Sequence, residues 1–112
     1  MSNIWIKELP LAVTVTDKTG KIIEMNDRSV KTFEKQGGKA LIGKNVKDVH
    51  PDHACKKIAE IVKTETANSY TIEKDGVKKL IYQTPWYQDG KYAGLVELSM
   101  IIPIEMPHYV RK

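Results

Sequence analysis

The 112-residue chain contains a single cysteine, Cys55, and only two arginines, Arg28 and Arg111. One cysteine excludes an intramolecular disulfide, which fits a reducing compartment such as the cytoplasm. Because arginine is the preferred reader of bases and phosphates, its scarcity argues against a nucleic-acid partner. The 18 basic and 14 acidic residues are interspersed along the chain, which is typical of a solvated surface.

Long apolar runs are also absent from the sequence. No stretch approaches the ~18–20 residues that a membrane-spanning helix needs. The first residues do not combine a basic region with a long apolar segment, as a signal peptide does. We therefore predict a cytoplasmic protein without a membrane partner, and its length suits one domain.

Turn and cap residues divide the first part of the chain into short elements. The apolar run 11–16 leads into a turn in which Asp17 can accept hydrogen bonds from backbone N–H groups. A second strand is predicted over 21–25. Asn26 follows it and can cap a helix predicted over 26–36. A short helix before Pro10 is also expected, and its candidate caps are Ser2 and Asn3.

The rest of the chain predicts a long helix followed by three strands. His50-Pro51 opens the helix, with Pro51 at the first helical position, where its missing N–H costs nothing. Asp-Gly pairs are typical of tight hairpin turns. They separate strands predicted over 69–74, 77–87 and 91–102.

The order β-β-α-(α)-α-β-β-β and several motifs resemble the PAS family over about residues 9–102. The motifs are Asp17-x-x-Gly20 with Asn26, the segment 41–46 before His50-Pro51-Asp52, and Thr84-Pro85, Asp89-Gly90 and Gly94. The resemblance implies an α+β fold, a five-stranded antiparallel sheet with helices on one face. It also implies an N-terminal helical cap over 1–9, a PAS domain over 10–102 and a C-terminal tail over 103–112.

The same resemblance implies a sensory or signal-transduction module rather than an enzyme. Such a module binds a small ligand in its core, a protein partner through its sheet, or both. The family often ends its last strand in Asp-Ile-Thr, a junction to a downstream effector. The matching place here is Ile101-Ile102-Pro103, so we expect any effector to act in trans or to belong to a larger chain.

The strands present one apolar and one mixed face, and their alternation leaves two assignments open. The apolar face can pack under the helices, leaving Gln83 and Glu97 in water. The PAS pattern implies the reverse, with the mixed face lining a ligand pocket, and we favour that version. The expected ligand-binding residues are then Thr14, Phe33, Ile58, Ile61, Gln83, Glu97 and Ser99.

An apolar outer face of this size is normally buried against another element or another chain. The N-terminal helix or a second copy of the chain can cover it, so we expect a homodimer. The expected interface residues are Trp5, Val13, Tyr82, Val96, Leu98 and Met100.

Haem is a possible cofactor because haem-binding members of the family take an axial histidine from the long helix. The helical phase places His50 on the inward side and His53 on the outward side, so His50 is the expected ligand. Flavin-binding light sensors of the family carry Asn-Cys-Arg before this helix. Residues 43–50 contain no cysteine, which disfavours a flavin photoadduct.

Two further alternatives remain open. The set His50, His53 and Cys55 has metal-binding side chains, but no fourth ligand is evident. A small acid/base enzyme is the rival from another functional class. Its acid/base pair would be Glu97 together with Tyr82, Tyr87 or His108.

Overall fold

The computed structural model describes residues 4–112. Four α-helices lie within them: α1 (Ile4–Lys7), α2 (Asp27–Thr32), α3 (Val46–Val49) and α4 (Asp52–Thr64). The five strands are β1 (Ala12–Thr16), β2 (Ile22–Met25), β3 (Asn68–Lys74), β4 (Val77–Gln88) and β5 (Lys91–Ile102). Among the described residues, none of the helices is long and apolar enough to cross a membrane.

All five strands form one antiparallel sheet in the order β2-β1-β5-β4-β3. The predicted α+β fold with a five-stranded antiparallel sheet is confirmed. Asp89 and Gly90 both have positive φ, 52° and 78°, at the turn between β4 and β5. That pair of conformations matches the twist of the flanking strands, which explains why the Asp-Gly motif predicts the hairpin so well.

The helices cover the face of the sheet that carries Thr14 and Glu97. Thr14 on β1 exchanges a hydroxyl hydrogen bond with Ser29 on α2. The core between the two layers is apolar. Its buried members include Ala12, Ile22, Leu41, Ile61, Ile81 and Leu95. The mixed face is therefore the inner one, in agreement with the assignment that follows the PAS pattern.

The helix predicted over 26–36 is shorter in the structure. Asn26 caps it as expected, since its side chain accepts a hydrogen bond from the N–H of Ser29 at 3.0 Å. The α-helix ends at Thr32, and two 3-10 turns follow, Glu34–Gln36 and Gly38–Leu41. The backbone of Phe33 leaves the helical region at φ −102° and ψ 24°, which breaks the helical ladder there.

The prediction for the start of the long helix was wrong in detail. Pro51 is the N-cap, with ψ at 160°, and α4 begins at Asp52. His50 is extended, with φ −120° and ψ 149°. It therefore lies in the connection between α3 and α4, so helical phase does not decide its orientation.

The N-terminal segment is held against β1 and α2 by polar contacts. Asn26 donates to the carbonyl oxygens of Ile6 at 3.0 Å and Leu11 at 2.8 Å. Lys7 forms an exposed ion pair with Asp27 at 3.2 Å. The candidate caps of α1, Ser2 and Asn3, lie outside the described residues.

Candidate functional site: a cavity between sheet and helices

A cavity of about 210 Å³ lies between the inner face of the sheet and the helical layer. The sheet supplies its floor, and residues 33–58 supply its walls. The lining residues are Thr14, Thr16, Ile22, Met25, Phe33, Gln36, Leu41, Val46, Val49, His50, Ile58, Leu95 and Glu97. An apolar wall with a few polar groups is typical of small-ligand sites.

A wider groove of about 520 Å³ lies beneath α1 at the β2 edge of the sheet. It is the less suitable ligand site, for two reasons. It opens broadly to solvent, and two of its four charged side chains, Lys7 and Asp27, already pair with each other. The cavity under the helices is the candidate functional site.

Glu97 stands in the middle of a polar row that crosses the sheet. Thr14 pairs with it on β1 and Gln83 pairs with it on β4, directly opposite in each case. Asn68 on β3 lies opposite Gln83 and donates to its amide oxygen at 2.9 Å. Gln83 is thus held by its other neighbour, and no residue between 4 and 112 donates a hydrogen bond to Glu97.

The electrostatics of the cavity centre on the Glu97 carboxyl group. Burial raises the pKa of Glu97 above its ordinary value, and the positive charge of His50 acts in the opposite direction. Burial also raises the pKa of Tyr70 on β3, and the negative charge of Glu97 adds to that effect. A positively charged partner would act in the same direction as His50, because it favours the ionised carboxylate.

His50 is oriented by the backbone of α3. Its Nδ1 lies 2.9 Å from the carbonyl oxygen of Val46. Since a carbonyl oxygen can only accept, Nδ1 carries the proton and donates. In the neutral ring, Nε2 then carries the lone pair, so His50 offers a ligand one acceptor.

The hydroxyl groups of Thr14 and Ser29 form a second polar element. Ser29 has no exposed surface, and its hydroxyl is paired with that of Thr14. The most economical arrangement has Ser29 donating to Thr14, because a fully buried donor needs an acceptor. The Thr14 hydrogen is then free to donate into the cavity beside Glu97.

The structure brings together part of the predicted ligand-binding set. Thr14, Phe33, Ile58 and Glu97 all line the cavity, as does His50. Three others lie outside the lining, namely Ile61, Gln83 and Ser99. Ile61 is buried in the core. Gln83 is on β4, next to the strand of Glu97, and accepts a hydrogen bond from Asn68. Ser99 lies opposite Ala12 and Ile81, beyond the cavity along β5.

Several lining residues have no counterpart in the sequence-based prediction. Gln36 and Leu41 come from the two 3-10 turns, and Val46 and Val49 come from α3. Val46 and Val49 are three residues apart, the spacing of one helical face. That spacing is the only local signal for them, and it spans a single turn.

The predicted interface residues do not form one equally exposed set. Trp5 and Tyr82 are 71% and 37% exposed, and Val96, Leu98 and Met100 are half-buried on the outer face. Val13 is only 4% exposed, so it has little surface to offer a partner. It lines the groove that also contains Ile4 and Ile6 of α1.

Haem does not fit the residues that form this cavity. His50 has a suitably oriented ring, but a porphyrin needs far more space than about 210 Å³. Pockets for drug-sized ligands are already larger, at about 300–1,000 Å³. Residues 4–112 also contain no cluster of three side chains suited to a metal ion, so His50, His53 and Cys55 do not converge.

The residues of the acid/base alternative are not assembled around Glu97. Tyr82 pairs with Leu98, so it points to the opposite face of the sheet from Glu97. Tyr87 pairs with Tyr92 near the start of β5, and the charge that acts on it comes from Glu65. His108 lies in the exposed tail after β5.

No protein-family model matches the chain, and no curated protein matches it significantly. Solved structures do match. The C-terminal domain of a Streptococcus mutans protein is 19% identical with a TM-score of 0.73, over 88% of this chain and 81% of that one. The PAS domain of a Colwellia psychrerythraea protein is 21% identical with a TM-score of 0.64, over 89% and 92%.

A sensory box sensor histidine kinase from Vibrio cholerae is also similar, at 16% identity and a TM-score of 0.63, over 90% of this chain and 89% of that one. At these identities the likeness concerns the fold. The strand order, the helical layer and these matches agree with one another. The predicted PAS fold is confirmed.

Proposed function

We propose that this chain is a sensory and signal-transduction module that binds a small ligand in the cavity between sheet and helices and catalyses no reaction. The observation that carries the proposal is Glu97, a carboxyl group without a hydrogen-bond donor at the floor of a largely apolar cavity. Glu97 is half-buried, and withdrawing a carboxylate from water is costly unless it is paired. A bound ligand would supply the pairing.

The fold supports a sensory role, since one similar solved structure is a sensory box sensor histidine kinase. A cytoplasmic location belongs to the same proposal and is supported by the single cysteine. The acid/base alternative receives no support from the geometry because Tyr82 faces away from Glu97.

The route from ligand to partner is short in this proposal. Glu97 faces the cavity, and the next residue, Leu98, faces the outer side of the sheet. A ligand that moves β5 at Glu97 therefore also moves the outer surface. We propose that a second copy of the chain contacts this surface, around Tyr82, Val96, Leu98 and Met100, with Trp5 at its margin.

A fragment screen by ¹H–¹⁵N NMR tests ligand binding in the cavity. Small cationic, neutral and anionic compounds are added separately to the ¹⁵N-labelled protein. We expect at least one compound to shift amide signals concentrated around Thr14, Phe33, Ile58 and Glu97. Shifts concentrated in the groove beneath α1, or no saturable shifts with any compound, would contradict the proposal.

A blocking variant makes the test specific for the cavity. Val49 is half-buried and lines the cavity, so Val49→Phe should fill part of it and weaken binding about tenfold. Val77→Phe adds the same bulk at the exposed start of β4 and is the matched control. Equal binding by both variants would place the ligand elsewhere.

A further inference from the structure

The cavity has a charge composition unlike that of the whole chain. The sequence contains 18 lysines and arginines, yet none of the residues that line the cavity is a lysine or an arginine. Glu97 is its only carboxyl group, and His50 is its only other ionisable side chain. Its remaining polar groups are neutral, namely Thr14, Thr16 and Gln36.

We propose that the ligand is a small organic cation, a compact apolar or aromatic body that carries an ammonium group, and that this group pairs with Glu97. The inference rests on the ligand-binding function proposed above and specifies its chemistry. Burying a carboxylate is unfavourable unless a charge or several donors accompany it. The described residues supply no donor to Glu97, whereas an ammonium group supplies up to three.

The groups that face Glu97 come from every element around it. Thr14 on β1 and Gln83 on β4 are its cross-strand neighbours. The charge of His50 acts on it from the connection before α4, and Tyr70 responds to its charge from β3. No lysine or arginine competes with the ligand for the carboxylate, and none attracts an anion.

The size of the cavity limits the ligand to about one ring and a short head group. An apolar cavity of about 150 Å³ in another protein accommodates benzene. The cavity here is about 210 Å³, so benzene with one or two additional heavy atoms fits. Phe33, Leu41 and Ile58 are among the side chains that would contact the apolar body.

Three probes of one shape test the assignment, namely benzylammonium, benzyl alcohol and benzoate. Their dissociation constants are measured at neutral pH by NMR titration of the ¹⁵N-labelled protein. Because a charged hydrogen-bonded pair is stronger than a neutral one, we expect benzylammonium to bind about tenfold tighter than benzyl alcohol. Benzoate should not bind in the cavity.

The variant Glu97→Gln keeps the shape of the side chain and removes its charge. It should weaken benzylammonium about tenfold and change benzyl alcohol by less than about threefold. Glu73→Gln, on the exposed part of β3, should behave as wild type in every titration. That control separates pairing with Glu97 from a general effect of net charge.

Two results would overturn the cation assignment while leaving a ligand-binding cavity in place. One is tighter binding of benzoate than of benzylammonium, and the other is benzylammonium binding that Glu97→Gln leaves unchanged. In both cases the cavity still binds ligands if benzyl alcohol binds to the wild-type protein and this binding is lost in Val49→Phe. The assignment also fails if none of the three probes binds to wild type or to Glu97→Gln.

Discussion

Gly94 packs directly against the backbone carbonyl group of Thr16, where β5 passes the end of its neighbour β1. A Cβ atom added to Gly94 would lie 1.9 Å from that oxygen and 2.7 Å from Nε1 of Trp86. Nε1 of Trp86 donates to the same oxygen at 2.8 Å. The absence of a side chain at Gly94 therefore allows β1, β4 and β5 to meet at this point.

Gly94→Ala should destabilise the protein severely. The substitution introduces the clash with Thr16 and also places a side chain at φ +153°, which L-residues rarely adopt. We expect a loss of more than about 3 kcal/mol in the free energy of unfolding, measured by urea denaturation. Gly76→Ala is the control, because its φ is +77° but nothing lies within 4 Å of its added Cβ. It should lose only about 1–2 kcal/mol, so equal losses would show that the clash is unimportant.

Asn26→Ala should also be strongly destabilising. The buried Asn26 side chain accepts from the N–H groups of Val13 and Ser29 and donates to the carbonyl groups of Ile6 and Leu11. The substitution leaves all four groups without this partner, so we expect a loss of about 2–4 kcal/mol, measured by urea denaturation.

The control for Asn26 is a second helix cap of the same residue type. Asn45 caps α3, accepts from Lys47 N–H at 3.1 Å and is less buried. Asn45→Ala should cost about 1 kcal/mol, the usual value for a cap. If Asn26→Ala costs no more than this, the contacts to β1 and the N-terminal segment contribute little.

Leu98→Lys tests the homodimer. Leu98 is on the outer face of the sheet, so a charge there should disrupt contact between two copies without entering the core. We expect a dimer for wild type and a folded monomer for the variant, by sedimentation and circular dichroism. Ile101→Lys, on the same strand and 62% exposed, should remain dimeric. A monomeric wild-type protein would remove the basis of this proposal.

The stability of the ligand-free protein should depend on the protonation of Glu97. Because burial raises its pKa in the folded state, stability is greatest below the ordinary glutamate pKa and falls as pH rises through the raised value. Glu97→Gln should therefore raise Tm at pH 7 and leave it almost unchanged at about pH 3.5. A lower Tm for the variant at pH 7 would mean that the fold stabilises the ionised carboxylate.

Local sequence signals determined much of the fold. Asp-Gly pairs located both β-hairpin turns of the last three strands, and β5 has the predicted limits, 91–102. Asn26 identified the start of α2, since capping is decided by a residue and the next few N–H groups. Alternation separated the two faces of β1 and of β5, because each strand reverses its side chains at every residue. The resemblance to the PAS pattern placed Thr14 and Glu97 on the same face.

Tertiary structure decided which residues meet at the cavity. Leu41, Val46 and Val49 reach it from a region with little periodicity, and His50 reaches it from an extended connection rather than from α4. The sequence by itself determined the strands, the turns and the composition of each face, because these depend on neighbours a few residues apart. The helical layer selected the inner face and closed the cavity, since packing between distant segments cannot be read from local spacing.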